Sequence, residues 1–278
     1  MFMYKKISFY SRPYPRIDSY RKMIDLAAEY GMTGLEGYCQ YEFETPDLAV
    51  AREMREYAES KGIKFCCFSI FLNLVGDDAE AQMARLKKYA EFAAELGSPY
   101  LHHTIINEIY KPENVLSRKE ELFEKGIVAA REIFDYAEKL GVRCIVEDQG
   151  FIYNGVEGFG SFLREVDRNI GIVADFGNIR QVEEQITDLI RAFPERICHV
   201  HVKDVYLLPE QKGGGLPTSK GNFMYGAFLG EGSVPYKEAF KLLKESGYEG
   251  YYSLEFGVRD DNSPKLDEFM QLVAKEIN

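Results

Sequence analysis

EKLGVRCIVEDQG, residues 138–150, carries the pattern that decides the fold of this chain. A helical run ends at Leu140, and Gly141 takes the left-handed conformation that stops a helix without a Cβ clash. A short run rich in Val, Cys and Ile follows near 143–147, suited to a strand, and it ends on charge at Glu147. The same joint is built into EYGMTGLE (29–36), SKGIKFCCF (60–68), ELGSPYLHH (95–103) and ESGYEGYYSLE (245–255), with Gly31, Gly62, Gly97 and Gly247 in the place of Gly141.

Between the joints the period is helical. Before Gly97, Met83, Leu86, Ala90, Ala93 and Leu96 form one stripe, while Arg85, Lys87, Lys88, Glu91 and Glu95 lie mostly off it. The pattern predicts strands near 6–10, 33–37, 64–69, 99–104, 143–147, 171–175, 197–202 and 250–255. It predicts helices near 17–30, 45–61, 78–96, 117–140, 156–168, 181–193, 235–246 and 264–276. Eight strands alternating with eight helices imply parallel βαβ units closed into a (β/α)8 TIM barrel, one domain over residues 1–278. The competing open, doubly wound sheet finds no Gly-x-Gly-x-x-Gly after the first strand to support dinucleotide binding. The stretch 206–233 is too long for a plain connection and reads as a loop, either a lid or a tolerated insertion, at the catalytic face.

Of the 278 residues, 46% are hydrophobic and 28% charged, enough apolar material for a large core. Against 34 basic residues stand 45 acidic ones, a net charge of −11, the wrong sign for neutralising nucleic-acid phosphates. Five cysteines without a CxxC pair argue against a disulfide framework or structural zinc site and fit a reducing cytoplasm. Cys144 and Cys198 read as buried, inert thiols. No segment approaches the roughly 18 apolar residues of a membrane span, and the first residues lack the apolar core of a signal peptide. Self-association into a homo-oligomer is left open.

In such a barrel the reacting groups come from the carboxyl ends of strands. Strands five to eight end in IVEDQG, IVADFGN, ICHVHVKD and YYSLEFG, so Glu147, Asp175, His201 and Glu255 are ionisable groups at the edge of a dry interior. All four histidines, His102, His103, His199 and His201, fall on strand ends, and alternation puts His199, His201 and Lys203 on the interior side. Three carboxylates and an imidazole suit one divalent metal ion, Mn²⁺ or Mg²⁺, and admit Co²⁺ or Zn²⁺. Open coordination positions would take two adjacent substrate oxygens. Glu147 and Glu255 on opposite sides of that substrate would be the catalytic pair, one removing a proton next to a carbonyl and the other returning it. A bland alternative pairs these acids with Lys203, Arg180 or Arg259 at the rim.

These strand ends resemble those of the xylose-isomerase-like superfamily, which includes sugar phosphate isomerases and epimerases, inosose dehydratases and endonuclease IV-like repair enzymes. VED at Glu147, VADFGN at Asp175, HVHVKD at His201, SLEF at Glu255 and the later LGEGSVPY carry the resemblance over essentially the whole chain. It implies a metal quartet of Glu147, Asp175, His201 and Glu255, with the two glutamates as the proton-transfer pair of a sugar isomerase or epimerase working through a metal-stabilised enediolate. Two positions depart from the family's epimerases: Asn178 stands where many members have a substrate-contacting His, and Tyr153 where they often have a second acid. Four histidines and the acidic surface do not suit a three-zinc nuclease. A dehydratase of a keto-polyol, with Lys203 or His103 as proton donor, uses the same chemistry, and a non-catalytic sugar-binding barrel would keep the metal site. The expected partner is a small sugar or keto-polyol held by His103, Asn178, Lys203, Glu36 and Arg259, with neither nucleic acid nor membrane.

Overall fold

The computed structural model describes residues 4–10, 17–107, 112–255 and 263–278. Arg259 lies outside them. Barrel strands β1 (Ile7–Phe9), β2 (Gly34–Tyr38), β3 (Lys64–Ile70), β4 (Tyr100–His103), β5 (Arg143–Glu147), β6 (Gly171–Asp175) and β7 (Ile197–Val202) are followed by β8 (Asp204–Leu208), β9 (Leu216–Pro217) and β10 (Phe223–Ala227), and then by β11 (Tyr252–Leu254). All but β8 to β10 run parallel in one sheet, ordered β1-β11-β7-β6-β5-β4-β3-β2, and β1 lies beside β2, nearly closing the ring. Helices α1 (Tyr20–Glu29), α2 (Leu48–Ser60), α3 (Ala79–Glu95), α4 (Pro112–Leu116), α5 (Lys119–Glu138), α6 (Gly155–Val166), α7 (Ile186–Ala192), α8 (Tyr236–Glu245) and α9 (Ser263–Ile277) form the connections. The molecule is a single TIM-barrel domain.

The five glycine joints have the geometry their sequence implies. Gly31, Gly62, Gly97, Gly141 and Gly247 have φ between 70° and 77°. In each joint the N–H after the glycine returns to the carbonyl five residues back, as from Val142 to Ala137 at 3.1 Å and from Ile63 to Ala58 at 2.9 Å. That bond satisfies a carbonyl the helix leaves open and turns the chain straight into the next strand. At helix starts Ser19 accepts from the Lys22 N–H and Asp47 from that of Ala49. The stripe of α3 is buried as read, and its Tyr89 and Phe92 pack with Phe43 and Phe68 between barrel and helix layer.

Inside the ring, Cys67, Ile145, Val173 and Cys198 form a small apolar plug. Two residues further along β3, β5, β6 and near the end of β7 the inward positions turn polar, at Ser69, Glu147, Asp175 and His201. Register shifts help aim this interior: Cys66 is the extra residue where β3 meets β2, and Cys198 where β7 meets β6. Each bulge inserts one residue without a partner and resets which side chains point inward beyond it.

Two expectations are corrected. The helix expected over 181–193 is a 3-10 turn, Asn178–Val182, followed by α7, because Glu183 adopts a left-handed φ of 60° and interrupts it. Stretch 206–233 is not a loop throughout: β8, β9 and β10 make an antiparallel sheet in the order β8-β10-β9. The correction to 181–193 follows from this one, since the Glu183 carboxylate accepts from Thr218 Oγ1 (2.6 Å) and Asn222 Nδ2 (2.9 Å) and so clamps the small sheet to the barrel. Its other anchor is Asp204, whose carboxylate accepts the N–H groups of Val205, Gly230, Gly232 and Val234. Among the described residues, no helix is long and apolar enough to cross a membrane.

An added Cβ at Gly141 would meet nothing within 4 Å, so a substitution there isolates the backbone cost of the left-handed turn. Gly141→Ala is expected to lower stability by about 1–2 kcal/mol in denaturant unfolding. Gly214→Ala, also in open space but without a positive φ, is expected to leave the midpoint unchanged.

Candidate metal and active site

The ends of β5, β6 and β7 and the residue after β11 bring Glu147, Asp175, His201 and Glu255 together, with one ligand atom from each within 4.8 Å of the others. His201 Nδ1 lies 2.8 Å from Glu147 Oε1, 3.7 Å from Asp175 Oδ2 and 3.6 Å from Glu255 Oε2. Its other nitrogen, Nε2, faces away, 3.1 and 3.2 Å from the two oxygens of Glu36. Tyr10 stacks on the imidazole face, ring centres 4.5 Å apart.

Glu36 is fully buried, and its three neighbours supply donors: Ser69 Oγ at 2.6 Å, His199 Nε2 at 2.7 Å and His201 Nε2. A carboxylate can only accept, so Glu36 keeps a proton on Nε2, and it is Nδ1, facing the three acids, that can give up its proton and offer a lone pair to a metal. The Ser69 hydroxyl has a single proton and spends it on Glu36. His102 Nδ1, 3.0 Å from that oxygen, is therefore the donor of the pair.

Asp175 is fixed from two sides. Its Oδ1 accepts the N–H groups of Gly177 (2.7 Å) and Asn178 (2.8 Å), and its own N–H is held by Asp148 Oδ1 at 2.7 Å. Oδ2 is left toward His201 and toward Lys203 Nζ at 2.9 Å, and the same ammonium lies 2.8 Å from Glu255 Oε2. The Lys203 stem passes against Gly177, where an added Cβ would come within 3.0 Å of Lys203 Cγ.

Burial raises the Glu147 carboxyl and pushes Glu255 up to about 8 although Lys203 opposes it. For Asp175, burial works against ionisation but Lys203 and His201 outweigh it, and the group stays far below the usual carboxylate range. Burial would likewise lower His201, yet Glu36, Asp175 and Glu147 hold it well above its ordinary value. The three carboxylates of the quartet thus share one imidazole and one ammonium, and Glu147 Oε2 is buried with no partner among the described residues. A divalent cation fits this donor set of three carboxylates and an imidazole, and negative charge in excess of the protein's own cations is what such an ion neutralises.

Of the residues expected to touch substrate, Lys203 stands at the quartet, paired with two of its acids. Asn178 is buried beside it, with its side-chain Nδ2 unpartnered among the described residues. His103 is fully buried, and burial pushes its imidazole down to about 4. The Glu36 carboxylate is met by the buried donors Ser69, His199 and His201, below the quartet. Arg259 lies outside the described residues. Tyr153 donates to the carbonyls of Leu122 and Phe123 instead of facing the quartet. Lys203 does pair with the acids as the bland alternative had it, whereas Arg180 donates to the Glu184 carbonyl. Sequence reasoning missed the supports Ser69, Ser253 and Asp148. Asp148 alone left a signal, as a second acid beside Glu147 at a strand end.

Barrel, strand-end acids and imidazole together define a class of protein, the TIM barrels whose acidic mouth could hold a metal ion. Residues 24–275 match the xylose isomerase-like TIM barrel family, and the chain belongs to that family. An inosose dehydratase of Clostridium botulinum is 28% identical over 130 residues, 42% of this chain and 43% of that protein, so the match spans less than half the length of this relative. One from Geobacillus thermodenitrificans is 24% identical over 258 residues, 85% of this chain and 82% of the relative. A crystal structure of D-psicose 3-epimerase in the presence of D-fructose has a TM-score of 0.74 at 18% identity, covering 97% of each chain, a likeness of fold.

Glu36→Gln is expected to weaken binding of Mn²⁺ about 10- to 100-fold in competition with a chelating dye, because the His201 tautomer is no longer dictated. Glu36→Ala leaves buried donors without an acceptor and is expected to cost about 2–4 kcal/mol of stability in metal-free protein. Metal affinity unchanged in Glu36→Gln would reduce Glu36 to a packing role.

Proposed function

We propose that the chain is a metal-dependent isomerase or epimerase that moves a proton next to the carbonyl of a sugar or keto-polyol. The observation that carries this reading is the pair Glu147 and Glu255, both reaching the Nδ1 side of His201 from non-adjacent strands, β5 and β11, with different surroundings. A divalent cation held by Glu147, Asp175, His201 and Glu255 supplies Lewis-acid stabilisation of the negative charge that proton removal leaves on the carbonyl oxygen. Within this reading Glu147 Oε2, the oxygen without a protein partner, takes the proton from carbon, and Glu255 returns one to the opposite face. Asp175 is tied down by two backbone N–H groups and serves as a fixed ligand. Tyr10, over the His201 ring, keeps water from that face of the site.

A second reading is a dehydratase. It is supported by the inosose dehydratases among the relatives and by Lys203, whose ammonium 2.8 Å from Glu255 can deliver a proton to a departing hydroxyl. Both readings share the first step and part at the second.

Chelator-treated protein reloaded with Mn²⁺ or Mg²⁺ is expected to exchange a carbon-bound proton of a ketose or keto-inositol for solvent deuterium, followed by NMR, and to lose exchange when the metal is removed. Glu147→Gln and Glu255→Gln should each slow it by about 10²–10⁴. A new enone absorbance during turnover selects the dehydratase. Absence of exchange across the panel would sink the proton-transfer reading.

A further inference from the structure

The backbone ladder between β5 and β6 stops short of the site it carries. Its last pair is Glu147 with Val173, whereas Asp175 lies two residues further on, where β6 is paired with β7. Past that point the turn after Glu147 and the turn after Asp175 are joined by side chains. One link is Asp148 Oδ1 on the Asp175 N–H. The other is Asn154, buried at the start of α6. Its Nδ2 lies 3.1 Å from the Gly150 carbonyl oxygen in the first turn and 3.0 Å from the Asn178 carbonyl oxygen in the second, and its Oδ1 accepts the Gly155 N–H at 2.7 Å. Two acceptors on one side and a donor on the other leave the amide a single orientation, and both Nδ2 protons are spent, one on each turn.

Capping α6 does not call for this arrangement. Asn, Asp and Ser serve about equally well as the acceptor at a helix start, but only an amide has two N–H groups diverging from one nitrogen on so short a stem. The first turn is gripped at the same residue from its other side: Gly150, whose φ of 78° is left-handed, gives its N–H to Gln181 Oε1 at 3.0 Å. The second turn is tied back to Asp175, whose Oδ1 accepts the Asn178 N–H. A connected path thus runs from Glu147 through Gly150, Asn154 and Asn178 to Asp175. Asn154, Asn178 and Gln181 are all buried, so bulk water does not stand in for a lost partner.

We propose that Asn154 is a positioning residue: its side-chain amide locks the turn after β5 to the turn after β6 and so sets the separation of Glu147 and Asp175. Its bearing on a bound ion rests on the reading of those two acids as ligands of one metal, whereas the lock itself does not. Two acids that face one space repel each other, and the bridge holds them at a fixed distance against that push.

The test replaces Asn154 by Ser, which keeps a cap acceptor but cannot make both bonds, and compares it with Glu184→Ala. The latter removes the other side-chain acceptor at the same helix start, a carboxylate 2.8 Å from the Val156 N–H. Amide hydrogen exchange of the metal-free proteins, followed by NMR, is expected to run about fivefold faster at Gly150 and Asn178 together in Asn154→Ser, and to stay unchanged at both in Glu184→Ala. Affinity for Mn²⁺, in competition with a chelating dye, should fall about tenfold in Asn154→Ser. The visible band of cobalt-loaded protein, which reports ligand geometry, should shift in that variant and not in the other. Should Asn154→Ser fail to fold, the wild-type protein still decides: both Nδ2 protons of Asn154 are expected to exchange slowly, and fast exchange of either overturns the bridge. Faster exchange confined to Gly155 and Val156, with unaltered metal binding, makes Asn154 a helix cap and overturns the proposal, as does an equal response of both turns in Glu184→Ala. Wild-type protein that takes up no divalent ion sinks the metal reading, and loosening of the two turns in Asn154→Ser then still supports the lock.

Discussion

A carboxylate cut off from water, Glu36, sets the order of everything above it in the barrel. Burying such a charge is costly unless every lone pair is answered, and here Ser69, His199 and His201 answer it from β3 and β7. In return it holds a proton on Nε2 of His201. The imidazole can then be a ligand on one edge only, the edge where Glu147, Asp175 and Glu255 converge. Without Glu36, that ring would be free to present either nitrogen to its acidic neighbours.

The quartet itself is a deliberately unbalanced object. Lys203 neutralises Asp175 and part of Glu255, while Glu147 keeps an oxygen with nothing to bind. Proteins tolerate such an imbalance at functional sites because the surrounding scaffold over-determines the geometry. Here the scaffold does so through backbone N–H groups on Asp175, a bulged β7 that sends both Cys198 and His199 inward, and a glycine at 177 that lets the Lys203 stem pass. The small sheet of β8 to β10 is tied down next to these same segments, at Asp204 just beyond β7 and at Glu183 just beyond the turn after Asp175.

The barrel was legible because its punctuation is local. A glycine after a helical stripe fixes a left-handed turn whatever the rest of the chain does, so all five joints and the five strands they deliver could be placed from neighbouring residues. The acids of the quartet were legible for a related reason, since a charge that closes an apolar strand is too costly to stand there without a partner. What escaped depends on contacts between distant segments. Glu36 reads like a rim residue on β2, and only ring order shows it beneath His201, 165 residues away. Glu183 reads as part of a helix, and its left-handed backbone makes sense only with Thr218 and Asn222 in place. Stretch 206–233 has the glycine content of a loop, and its strands are recognisable only from their pairing.

The first and last strands of the ring meet at a seam, Ser8 opposite Ser253, and the polar network crosses it: Ser8 Oγ to Ser253 Oγ at 2.5 Å, then to His199 Nε2 at 3.0 Å, then to Glu36. Tyr10, just past β1, lies on His201, and Glu255, just past β11, completes the quartet. Groups 245 residues apart in sequence must therefore come together before the buried charges beneath the site are paired. Half a barrel would hold those charges uncompensated, so partly assembled forms are penalised where the finished one is rewarded, and the buried polar network doubles as the latch that makes ring closure cooperative.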